Sequence, residues 1–166
     1  MQESHPAMKL SNNIGYLLQH ISSSLGRQSD QVLQEQLGIG YSQFKILMVL
    51  QWNPSVQQRH IAESLGQTEA SISRQIKLLH DRSLLQTTIS PHNRREHITT
   101  LTAKGVRLSQ EALNVLNRYH APMFAELTDK QQKQLVEILT AMHQEVCRGD
   151  KPGRCYQNYL DALESN

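Results

Sequence analysis

The sequence predicts a mainly α-helical fold interrupted by one small β-hairpin. Three observations carry that expectation. Apolar residues recur with helical period over long stretches, as in Leu10, Ile14, Leu17, Leu18, Ile21 and Leu25. Aromatic residues are only 5% of the 166, fewer than a sheet-rich protein would use. The β-branched residues gather in one place, LLQTTI and HITTL on either side of SPHNRRE, which reads as two short strands around a basic turn.

In chain order, residues 1–7 form a polar tail, and the first helix is expected from Met8. Val32, Leu33 and Leu37 extend it to Gly38, with Ser22 to Gly26 as its weak point. A helix this apolar needs a surface to bury against, either its own domain or a second subunit. After the Gly38-Ile39-Gly40 turn, Tyr41 to Trp52 forms a second helix with Phe44, Leu47, Met48 and Leu50 as its apolar residues. Asn53-Pro54 ends it, because a residue before proline avoids helical backbone angles. Ser55 is then expected to cap a short helix over VQQRHIAESLG, with Val56, Ile61, Ala62 and Leu65 inward and Gly66 as its stop.

Thr68 opens the next helix as N-cap. Ile72, Ile76 and Leu79 share one face of it, and at about 100° per residue the opposite face carries Ala70, Arg74, Lys77 and Asp81, flanked by Ser71 and Ser73. Two short helices joined by a Gly-containing turn, the second polar outside, form a helix-turn-helix, and the arginine-tipped hairpin behind them makes a wing. Small residues, hydroxyls and two cations suit a DNA major groove, where the backbone must come close.

Thr102 caps a helix through Val106, Leu108, Ala112, Leu113, Leu116 and Tyr119 that Pro122 should kink or end. Thr128 and Gln131 form a capping box for a last long helix, with Leu135, Ile138, Leu139, Met142 and Val146 on one face and an end near Gly149. A Pro-Gly break and two further turns around Tyr156, Tyr159, Leu160 and Leu163 complete the chain. The implied division is an N-terminal dimerisation helix at 8–38, a winged-helix lobe at 39–102, and C-terminal dimerisation helices with a tail at 103–166.

Hydrophobic content of 38% and charged content of 19% describe a globular chain. The net charge of +2 says little, but its distribution says more. Between Arg59 and Arg107 eight cationic side chains face four acidic ones, about +4, leaving about −2 for the rest. Such asymmetry is the electrostatic footprint that DNA binding uses. No apolar run reaches membrane-span length and no signal peptide opens the chain, so a reducing cytoplasm is expected. Cys147 and Cys155 make neither a CxxC motif nor a disulfide framework; a redox sensor built on them is an alternative, set against an inert cysteine on the apolar side of a helix. The eight histidines lack metal-site spacing, so no metal or cofactor is expected. There is no nucleophile elbow, Gly-rich phosphate loop or paired-carboxylate cleft, which argues against an enzyme. A winged-helix module that docks protein is the other alternative, and the cationic helix and wing argue against it.

GIGYSQFKILMVL, HIAESLG, SISRQIKLLHDRSLL and SPHNRREHITTLTAKG, taken together over roughly 10–147, resemble the MarR family of bacterial transcription regulators. Ser73-Arg74, Arg94-Arg95 and Leu101-Thr102-x-x-Gly105 in one register carry the resemblance. It implies a homodimer with interleaved N- and C-terminal helices, acting as a repressor on a pseudo-palindromic double-stranded operator. Recognition helices would enter successive major grooves and wings the flanking minor grooves. It makes Arg94 the minor-groove arginine and Arg95 a brace or phosphate contact, and places Phe44 and Met48 where a small-molecule effector often sits, although plain core is the competing reading. The expected DNA contacts are therefore Ala70, Ser71, Ser73, Arg74, Lys77, Arg94 and Arg95. Three departures stand out: Ser90 and Asn93 replace the wing's usual aspartates, Ser83 replaces the usual glycine after the recognition helix, and the tail after Gly149 has no counterpart.

Overall fold

The structure is a computed structural model that describes residues 13–53, 56–89 and 97–148, with His97 described by its backbone alone. In these segments the order is α1 (Ile14–Leu37), α2 (Tyr41–Trp52), β1 (Val56–Gln57), α3 (Gln58–Leu65), α4 (Glu69–Asp81), β2 (Leu85–Ile89), β3 (His97–Leu101), α5 (Ala103–Ala125) and α6 (Asp129–Cys147). The fold is mainly helical, as the periodicity requires.

Helix α2 is the centre of the core. Phe44 and the run Ile46 to Leu50 are all buried, so the helix is apolar around most of its circumference, as expected for one surrounded by other elements. It packs against α1, α3, α4, α5 and β3. Asp30 on α1 helps to start it, its Oδ1 accepting from the Tyr41 N–H at 2.7 Å. Burial raises the Tyr41 phenol above its usual 10.0.

Helix α1 is continuous through Ser22 to Gly26, the expected weak point. Its C-terminal half is held in place by burial of Ser29, Val32 and Leu33 and by the Ser29 Oγ to His120 Nε2 hydrogen bond of 3.1 Å to α5. The helix starts at Ile14, later than the Met8 expectation, because Asn13 takes an extended backbone and its side chain accepts from the Tyr16 N–H. Residues 1–12 lie outside the described segments.

The hairpin belongs to a three-stranded antiparallel sheet in the order β1-β3-β2, one strand more than expected. Leu85 pairs with Leu101 and Ile89 with His97, while Val56 pairs with Thr99 and Gln57 with Ile98. Val56 and Gln57 therefore leave the helix assigned to them and occupy the free edge of β3, satisfying backbone groups there. Helix α3 begins only at Gln58, with Gln57 in the cap position. Ser55, the expected cap, lies outside the described residues.

Helix α5 runs through Pro122 and ends at Ala125. With the proline so close to the C-terminus, only the last turn bears the missing N–H. Helix α6 opens on the expected capping box: Thr128 Oγ1 accepts from the Gln131 N–H, and Gln131 Oε1 accepts from the Thr128 N–H. No residue of α6 is buried among the described residues.

Candidate nucleic-acid interface

The α3–α4 junction is built around Gly66. Its φ of 59° is left-handed, and its N–H bonds back to the α3 carbonyls of Ala62 and Glu63, which suits glycine because no Cβ crowds that conformation. Thr68 then accepts from the Ser71 N–H at 3.2 Å. Burial of Ile72, Ile76 and Leu79 fixes the rotation of α4. With that face anchored, Ala70, Ser73, Arg74 and Lys77 are exposed opposite. The Arg74 Nε donates to the Ala70 carbonyl at 3.3 Å, laying the side chain along its own helix. Ser71 is half-buried, its hydroxyl donating to Gln67 Oε1 at 3.4 Å, so it is less available to a ligand than its helical position implied.

The turn after α4 is where the sequence departs from the resemblance. Ser83 has φ of 59°, the one positive φ on a non-glycine among the described residues. Its carbonyl and that of Leu84 both accept from Thr102 Oγ1, at 2.8 and 3.1 Å. The same hydroxyl accepts from the Gly105 N–H at 3.0 Å, capping α5. A Cβ on Gly105 would collide with the Leu84 carbonyl oxygen. The Leu-Thr-x-x-Gly signature is thus a physical device. Its threonine ties the end of the recognition helix to the start of α5, and its glycine lets the two backbones touch.

Beyond this turn β2 and β3 fix the base of the wing. Arg94 and Arg95, in the segment that joins them, lie outside the described residues, as do Ser90 and Asn93. Phe44 and Met48, named as candidate effector residues, are 7% and 6% exposed and belong to the hydrophobic core. Cys147 is half-buried and disulfide-bonded, with its sulfur 3.6 Å from His143 Nε2, which departs from the expectation of an inert thiol outside any disulfide. Sequence reading counted Arg82 only as one more cation. It bridges to the end of α1 over 44 residues of chain, a link that no local spacing signals.

A helix-turn-helix whose second helix turns a cationic face outward, followed by a β-wing, is a winged-helix fold. Residues 37–96 match the model of the MarR family. An HTH-type transcriptional repressor of Mycobacterium tuberculosis is 26% identical over 126 residues, which are 76% of this chain and 90% of that protein. Among solved structures, wild-type MarR from E. coli is 18% identical with a TM-score of 0.72, over 85% of this chain and 98% of that one. The repressor CouR bound to a 23-mer DNA duplex is 25% identical with a TM-score of 0.71, over 84% and 98%. Over these spans the chain is similar to transcription regulators of the MarR family. No helix among the described residues is long and apolar enough to cross a membrane.

Proposed function

We propose that two copies of this chain form a cytoplasmic repressor that binds a pseudo-palindromic operator through α4 and the wing, and that a small-molecule effector relieves repression. The observation that carries the reading is the locked rotation of α4. Burying Ile72, Ile76 and Leu79 leaves Arg74, Lys77, Ser73 and Ala70 no place but solvent. In the proposed complex Arg74 reaches base edges, Lys77 meets phosphate, and Ser71 joins only after releasing Gln67. Arg94 enters the minor groove and Arg95 braces the wing or meets phosphate.

Dimerisation is supported by apolar surface that stays exposed among the described residues. Ile14 and Ile21 on α1, Met123 and Phe124 on α5, and Val136 and Ile138 on α6 are all exposed. Large exposed apolar side chains on helices mark interaction surfaces when they cluster. Relatives support the partners: a cysteine-to-serine mutant of MarR from E. coli was crystallised with operator DNA, and CouR from Rhodococcus jostii RHA1 with p-coumaroyl-CoA. An effector between α2 and the dimerisation helices would meet Phe44 and Met48 only after core side chains shift, and would act by favouring one dimer geometry over another. A second reading, regulation by oxidation of Cys147, is favoured by its disulfide-bonded state; DNA affinity with and without a thiol reductant separates the two.

The test uses a duplex selected by the wild-type protein. Arg74→Ala should weaken binding by ~1–3 kcal/mol and relax base preference. Arg94→Ala should weaken all sequences alike and lower the salt slope by about one. Unchanged gel-shift affinity in both variants would remove the assignment.

A further inference from the structure

We infer that Arg82 is a positioning residue, which sets the recognition helix against the dimerisation helix and thereby the half-site spacing the protein accepts. The inference rests on the dimeric DNA-binding reading above.

Arg82 is the C-cap of α4. Its guanidinium leaves that helix and closes the end of α1, with Nη1 donating to the Gly38 carbonyl at 2.7 Å and Nη2 to the Leu37 carbonyl at 3.3 Å. Helix α1 has no basic residue in its own last turn, so Arg82 supplies both donors and a cation at a terminus that needs them. On the other side, Lys104 Nζ on α5 donates to the Arg82 carbonyl at 2.9 Å, and Thr102 takes the next two carbonyls.

The rest of α4 packs on α3, α2 and β2. Its C-terminal end is different. It is tied to α1 by Arg82 and to α5 by Lys104 and Thr102, and α1 and α5 carry much of the apolar surface assigned to the second subunit. A planar fork spanning two carbonyls fixes an angle as well as a distance, which a lysine ammonium does not. These bonds are solvent-exposed beside an open cleft of about 530 Å³ that Asp30, Gln34, Gln75 and Leu78 help to line. Exposed hydrogen bonds add little to folding stability, so removing them should show in geometry before it shows in melting.

The experiment uses full-length protein, an inverted repeat selected by wild type, and the same repeat with one base pair inserted or deleted between half-sites. One base pair changes the separation by about 3.4 Å and the rotation by about 35°. Wild type should prefer its selected spacing by roughly tenfold or more, Arg82→Ala by about threefold or less, and Arg82→Lys by an intermediate factor. The melting temperature should stay within a few degrees. An unchanged spacing preference in Arg82→Ala overturns the proposal. So does an even loss at every spacing with a lower salt slope, which would make Arg82 a phosphate contact, or failure of the variant to fold, which would make it a stability residue. If wild type itself binds no duplex, the DNA-binding reading falls instead.

Discussion

At Ser83 a left-handed backbone, φ 59°, puts Cβ too close to the following carbonyl oxygen, a crowding that costs roughly 1 kcal/mol on any residue but glycine. The Thr102 hydroxyl holds it there by bonding its carbonyl. Ser83→Gly should therefore raise the melting temperature, by about 2–4 °C for a chain of this size, as read by calorimetry; no rise would mean the strain is absorbed elsewhere. This position was legible through the family resemblance, which places a glycine where this sequence has Ser83. Ser71 was less so. Helical phase places it beside the DNA-facing residues, but its bond to Gln67 depends on a side-chain rotamer that spacing does not encode.

Among the elements, α4 was the most legible, since three buried residues at helical spacing fix both its identity and its rotation. The two-residue β1 was hidden: a pair is too short to display a period of two, and its stabilisation comes from β3, more than 40 residues later. The continuity of α1 was hidden for the same reason, because packing against α5 overrides a weak local propensity. The junction of α4, β2 and α5 yields a second prediction. Gly105→Ala drives a methyl group into the Leu84 carbonyl and should cost ~1–3 kcal/mol, the usual range for overpacking a tight site. Thermal or urea unfolding measures it. A neutral effect would mean α5 can slide away from the turn, and the Thr102 clamp would then be loose.

For the whole molecule, what stands out is how much apolar helix surface the described residues leave exposed. No residue of helix α6 is fully buried among the described residues, and its apolar residues at 135–146 lie open. The sequence showed this surplus as apolar helices with no partner in the fold, though not the geometry of their covering. The cations concentrate between Arg59 and Arg107, in the segment that carries the recognition helix and the wing, while the uncovered faces of α1, α5 and α6 lie largely outside it. In the proposed dimer the surface for DNA is thus separate from the surface for a second copy. The most direct test is selection of the full-length protein against a pool of randomised duplexes, with the mass of the bound complex measured on the winning sequence. The account predicts an inverted repeat with half-site centres about 10 base pairs apart, bound by two 19.0 kDa chains. An unsymmetric winner bound by a single chain, or no enrichment at all, would contradict it.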